Sequence, residues 1–181
     1  MKDDLEKMLK HNHIDWSNLS YLQRIILITD GTLTDILEAY LLEDIQVIKI
    51  SEKVEVTSKD IPILELEAGS EVIERKIFLQ GKNSSKNFLY AESKIVLGRL
   101  DEDLKNGLLK SQIPIGHLWS QFRLETFKEI IESGKEPVNE LSAYFIDTEP
   151  KDQLLFRTYR VFSNRKPIMM ITEKFPQSYF M

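Results

Sequence analysis

Two charged residues occupy positions where strand alternation calls for apolar ones. In the stretch Val72 to Leu79, side chains point to opposite faces at a period of two. One face carries Ile73, Arg75, Ile77 and Leu79; the other carries Val72, Glu74, Lys76 and Phe78, a mixed set that could be wet. A guanidinium among three aliphatic neighbours needs an anionic or hydrogen-bonding partner, because burying an unpaired charge is costly. Near the C-terminus the sign reverses: Met169, Ile171, Glu173 and Phe175 share a face that is apolar except for one carboxylate. Two readings follow. Arg75 and Glu173 form a buried ion pair that only holds the fold, or they line a pocket in a sheet face. In such a pocket the arginine would clamp a carboxylate and the glutamate would meet a hydroxyl or ether oxygen. Strand register is not fixed by sequence alone, so both readings stay open at this point.

The elements that must position these two residues are mostly strands. Leu5, Met8 and Leu9 have helical spacing, which predicts a short amphipathic helix over the first dozen residues, with a partner at Leu19, Leu22, Ile25 and Ile26. Asp30-Gly31 turns into a second helix, where Thr32 and Asp35 have the spacing of a capping box. Ile45 to Thr57 reads as strand, Pro62 interrupts, and Val72 to Leu79 pairs through a polar turn, Gly81 to Asn87, with Phe88 to Leu97. Asp101 to Leu109 reads as helix, and Pro114-Ile115-Gly116 opens another through Trp119 and Phe122. Residues 123–133 fit either periodicity. Leu141 to Asp147 and Leu154 to Ser163 read as a hairpin around Glu149-Pro150-Lys151-Asp152, and Asn164 to Pro167 turns into a last strand, Ile168 to Phe175. Strands joined by tight turns, with helices clustered early, predict an α+β fold: an antiparallel β-sheet with helices packed on it. No linker or repeat divides the chain, so a single domain over residues 1–181 is expected, with residues 1–18 as a helical extension.

Composition removes several classes of function. A net charge of −5 without a Lys/Arg run argues against a nucleic-acid partner or an anionic membrane surface. An anionic ligand would therefore be held by local arginines against the overall field. With no cysteine, disulfide and thiol chemistry are excluded, which fits a reducing, cytoplasmic setting. The N-terminus is charged rather than apolar, and no run approaches the roughly 20 apolar residues of a membrane span. The histidines, His11, His13 and His117, have no recurring metal spacing, so no metal site is expected. Arg157 and Arg160 lie on opposite faces of the penultimate strand, so one of them can look inward beside Arg75 and the other faces solvent. The run IILITDGTLT, residues 25–34, looks like the first motif of haloacid-dehalogenase phosphatases. The nucleophilic aspartate of that motif would fall on Ile28, and the alternating helix and parallel-strand pattern of that fold is missing, so this reading is set aside.

Five pieces in order resemble the chorismate pyruvate-lyase (4-hydroxybenzoate synthase) family, including its shorter cyanobacterial, plastid and archaeal forms. They are Thr29-Asp30-Gly31-Thr32-Leu33-Thr34 before a helix, Glu74-Arg75-Lys76 in a strand, and Tyr90-Ala91-Glu92-Ser93 in the next. Pro114-Ile115-Gly116 opens a helix, and Lys166-Pro167 precedes Ile171-Thr172-Glu173. The resemblance runs from about residue 20 to the end. It implies an antiparallel sheet with helices packed on it and a closed pocket. It also implies Arg75 on the product carboxylate, Glu173 on the hydroxyl, and product contacts from the turns at Leu33-Thr34 and Ile115-Gly116. The implied substrate is chorismate and the products are 4-hydroxybenzoate and pyruvate. Aromatisation of the ring supplies the driving force, so neither metal nor redox cofactor is expected. Glu173 in an apolar setting would be raised in pKa and able to donate to the departing oxygen, whereas an ion pair with Arg75 would lower it. The same fold serves as the ligand-binding domain of GntR-type regulators, so a non-catalytic protein that binds small aromatic carboxylates is the alternative. A regulator of that type carries a DNA-binding winged helix ahead of this fold, and the stretch before residue 20 is short for one.

Overall fold

The protein is described from a computed structural model covering residues 14–110 and 113–181. Six antiparallel strands form one sheet: β1 (Ile45–Val56), β2 (Glu71–Gly81), β3 (Asn87–Val96), β4 (Phe127–Pro137), β5 (Gln153–Ser163) and β6 (Lys166–Pro176), in the order β1-β2-β3-β6-β5-β4. Four helices, α1 (Tyr21–Ile28), α2 (Leu33–Leu41), α3 (Glu102–Lys110) and α4 (Ile115–Gln121), complete the expected α+β architecture. Their apolar residues, among them Leu27, Leu37, Leu108 and Trp119, share one core with Ile73, Leu89, Ile95, Met169 and Ile171 of the sheet. No helix among the described residues is long and apolar enough to cross a membrane.

Register decides which residues share the helix-covered face. Directly paired residues lie on the same side of a sheet, and the pairs Arg75–Ser93, Ile77–Ala91, Ala91–Glu173, Ser93–Ile171, Ile171–Tyr159 and Glu173–Arg157 form a continuous patch across four strands. Bulges adjust the two edge strands. In β1 the register shifts between Lys49 and Ser51, which sets Glu52 opposite Arg75. In β4 it shifts between Ile130 and Glu132, which keeps Lys128 and Ile130 on the face of Tyr159 and Arg157. The opposite face is covered at its ends and half-wet in its middle: Phe78 stacks against Tyr90, Tyr144 and Phe145, while Glu74 pairs with Lys94 and Lys174 with Glu136.

Several sequence expectations are corrected. The expected helix over residues 1–12 lies outside the described residues. Leu141 to Asp147 is not a strand: a 3-10 turn runs over Asn139–Ala143, and the partner of β5 is β4, built from the segment that fitted either periodicity. Asn139 and Asp147, at φ 49° and 56°, put left-handed residues at both ends of that segment, which breaks an extended run. The capping box at Thr32 and Asp35 does not form, since no side chain caps α2. The reciprocal box is instead Ser20 with Gln23 at the start of α1, where each side chain accepts from the other's backbone N–H. The tight turn before β6 is as expected, with Asn164 and Arg165 both at positive φ as a two-residue hairpin requires.

Candidate active site

Arg75 and Glu173 both lie on the helix-covered face, 4% and 7% exposed, and both line one pocket. They are not each other's partners, which excludes the simple structural pair. The pocket lies between the sheet and two helix starts. Its floor is sheet: Arg75, Ile77 and Leu79 of β2, Leu89, Ala91 and Ser93 of β3, Ile171 and Glu173 of β6, Tyr159 of β5 and Lys128 of β4. Its roof is two helix starts, Thr32-Leu33-Thr34 of α2 and Pro114-Ile115-Gly116 of α4, closed by Trp119. All four expected turn residues, Leu33, Thr34, Ile115 and Gly116, are therefore brought together with the two charges.

The roof has unused donors. The first backbone N–H groups of a helix have no partner within it, and neither α2 nor α4 is capped by a side chain. The two starts can approach because residue 116 is glycine: a Cβ there would overlap the Thr32 methyl. A polar latch outside the pocket joins the same helices, with His117 Nε2 at 3.1 Å from Asp35 Oδ1 and 3.6 Å from Glu38 Oε2. Their ligand-type atoms lie within 4.8 Å of one another, close enough to hold a metal ion, but the hydrogen-bonding contact of His117 with Asp35 alone accounts for that proximity.

Glu173 is built in completely. Its Oε2 accepts from Arg157 Nε at 2.7 Å and its Oε1 accepts from the Tyr159 hydroxyl at 2.9 Å. Arg157, 1% exposed, also donates to the carbonyls of Ile26 (2.5 Å) and Thr29 (2.8 Å) at the end of α1. Burial works against the Arg157 charge, yet the charge of Glu173, its hydrogen bond and Tyr159 together outweigh it and leave the guanidinium pKa raised. Burial, reinforced by the Glu173 charge, pushes the Tyr159 phenol well above its ordinary value, so it stays a donor. Glu173 thus accepts at both oxygens, from a permanent cation and from a neutral hydroxyl.

Arg75 is the opposite case. Its Nε lies 3.4 Å from Glu52 Oε2, an ion-pair distance without hydrogen-bond geometry, and neither Nε nor Nη2 has a hydrogen-bond partner among the described residues. Burial depresses its pKa, with Glu52 only partly offsetting the effect. A guanidinium held in this state is suited to a bidentate carboxylate, which would satisfy both the charge and the orphaned donors.

The question between Arg157 and Arg160 is settled by register. Arg157 faces inward beside Glu173, whereas Arg160 faces outward to Glu129 Oε2 at 2.6 Å and the Ile63 carbonyl. Sequence reasoning missed Tyr159, although it shares the period of Arg157, and it missed Lys128 and Trp119. Lys128 fell in the segment whose periodicity was ambiguous, and its orientation depends on a bulge that no local pattern marks.

Comparison with known proteins gives a consistent picture. Residues 27–180 match the family model described as chorismate pyruvate-lyase, Rv2949c-like. Chorismate pyruvate-lyase of Mycobacterium leprae is 31% identical over 160 residues, covering 87% of this chain and 75% of that protein. The enzyme of that name from Mycobacterium tuberculosis is 30% identical over 163 residues, with 87% and 80% covered. Among solved structures, the effector domain of PhnF from Mycobacterium smegmatis superposes with a TM-score of 0.64 over 84% of this chain and 92% of that one, at 10% identity, a likeness of fold. A GntR-family regulator from Bacillus cereus does so at 0.57 and 9% identity, covering 76% and 94%. With the arginine strand, the two glycine-bearing turns and the glutamate strand all inside the matched region, the chain belongs to the Rv2949c-like chorismate pyruvate-lyase family.

Proposed function

We propose that this chain is a chorismate lyase, binding chorismate in the Arg75–Glu173 pocket and releasing 4-hydroxybenzoate and pyruvate. The observation that carries the reading is Arg75: a buried guanidinium with two donors that have no partner among the described residues, on the wall of a partly enclosed, largely apolar pocket. Arg75 grips the ring carboxylate at two points, and Glu173, oriented by Arg157 and Tyr159, accepts from the ring hydroxyl. The uncapped N–H groups at Leu33-Thr34 and Ile115-Gly116 face the ligand from the roof. In the reaction the ether bond between ring and enolpyruvyl oxygen breaks and its electrons leave with the enolpyruvyl group. The hydrogen on the neighbouring hydroxyl-bearing carbon is lost as a proton, its electron pair completing the aromatic ring. The departing enolate is protonated on its methylene carbon to give pyruvate. What the protein contributes is restriction of the substrate to a reactive geometry and stabilisation of charge on the departing oxygen in a dry site.

The test is to incubate the purified protein with chorismate and follow 4-hydroxybenzoate by absorbance and pyruvate by a coupled assay. Equimolar appearance of both supports the proposal. Tight binding of 4-hydroxybenzoate with no turnover at high protein concentration would make the chain a binder of aromatic carboxylates, as its likeness in fold to regulator effector domains allows.

A further inference from the structure

We infer that Lys128 is a specificity-determining residue of this pocket: its ammonium takes a second anionic group of the ligand, at the end opposite Arg75. The inference rests on the proposed function and assigns to Lys128 the enolpyruvyl carboxylate, the group on which product and substrate differ.

Placement is the first argument. Arg75 and Lys128 are the two cationic side chains lining the pocket, and they stand on β2 and β4, which the sheet order separates by four inter-strand steps. At about 4.8 Å per step their backbones are roughly 19 Å apart. Two long side chains reaching inward from those positions bracket a ligand end to end rather than sharing one carboxylate. The β4 bulge then matters for function, because it keeps Lys128 on the pocket face although the strand is irregular.

Surroundings are the second. Lys128 Nζ lies over the rings of Trp119 (5.1 Å) and Tyr159 (5.5 Å), both pocket walls, and donates to the Gly31 carbonyl at 2.8 Å. No carboxylate among the described residues forms an ion pair with it, and the acid nearest in function, Glu173, is already engaged by Arg157 and Tyr159. Burial depresses the pKa of its amine, with Arg157 adding to the shift and the charges of Glu173, Asp30 and Asp35 only partly offsetting it. A single ligand carboxylate would supply the missing counter-charge.

The alternative is that Lys128 merely anchors the Asp30-Gly31 turn through the Gly31 carbonyl. The two roles separate by ligand charge. 4-Hydroxybenzoate has only the carboxylate assigned to Arg75, whereas chorismate has two. Lys128→Met should therefore lower kcat/KM for chorismate by about 10- to 100-fold, the size of one charged hydrogen bond, and Lys128→Arg should restore part of it. The Kd for 4-hydroxybenzoate, measured by calorimetry, should stay within about threefold, because that ligand makes no charged hydrogen bond to Lys128. Equal loss for both ligands, or no loss for either, overturns the inference. If the wild type binds chorismate without turning it over, the proposed activity falls, yet the ratio of chorismate to 4-hydroxybenzoate affinity in wild type and Lys128→Met still decides the role of Lys128. A wild type that binds neither overturns both.

Discussion

Arg75 and Arg157 stand on the same face of the same sheet, both nearly inaccessible to solvent, and differ in what surrounds them. Arg157 has a carboxylate at 2.7 Å and two backbone carbonyls, so most of its donors are used within the protein. Arg75 has one carboxylate at 3.4 Å, no hydrogen bond to it, and two orphaned nitrogens. Burial exacts a desolvation cost at both places, and only at Arg157 do internal partners offset it. A buried cation whose charge is met at 2.7 Å and whose donors are mostly used, with Nη2 left over, is part of the fold. One left short of partners on a pocket wall is suited to a ligand.

The largest expected effect lies on the Arg157 side. Arg157→Met strands the Glu173 carboxylate and frees the Ile26 and Thr29 carbonyls, so stability should fall by about 3–5 kcal/mol in chemical denaturation. Adding Glu173→Gln to Arg157→Met should recover part of that loss. A loss below about 1 kcal/mol would mean that Arg157 is no more structural than Arg75. The roof gives a smaller effect. Gly116→Ala pushes a methyl into Thr32 and should cost about 1–3 kcal/mol while weakening 4-hydroxybenzoate binding. Thr32→Ser, which removes the clashing methyl, should relieve much of it.

The smallest effect is on the pH profile. Lys128 titrates below its ordinary value of 10.5 because of burial; Glu173 on β6, Asp30 in the turn and Asp35 on α2 oppose the shift, and Arg157 on β5 adds to it. The charged amine exists below that folded pKa. If it holds the substrate, kcat/KM should be level at neutral pH and fall as pH rises through it, since this parameter reports the free enzyme. Tyr159 titrates well above 10.0 and Arg75 remains charged, so neither accounts for such a limb. In Lys128→Arg the limb should move to higher pH.

The strands that carry the chemistry were the legible part of this chain. Period-two alternation with one odd charge located Arg75 and Glu173, and both face the pocket. The turns at Leu33-Thr34 and Ile115-Gly116 were placed by resemblance and not by pattern. What could not be read was pairing across strands: that Glu173 faces Arg157 rather than Arg75 depends on β6 lying between β3 and β5, an order that no local window contains. Lys128 was hidden for a related reason, since a bulge shifts the alternation of β4 midway and blurs its period. Leu141 to Asp147 failed differently, because its apolar residues mimic a short strand while the 3-10 turn Asn139–Ala143 and left-handed backbone at Asn139 and Asp147 break an extended run.

The difference between the two arginines is tested most directly by the unfolding of Arg75→Met with and without 4-hydroxybenzoate. Without ligand, the variant should be as stable as wild type within about 1 kcal/mol, or more stable, because an apolar side chain replaces a poorly partnered buried cation. Saturating 4-hydroxybenzoate should raise the wild-type unfolding midpoint and leave the variant's unchanged, with Arg75→Lys recovering little of the shift. A ligand-free loss of several kcal/mol, or a ligand-induced shift that survives in Arg75→Met, would contradict the assignment of Arg75 as the group that receives the ligand's carboxylate.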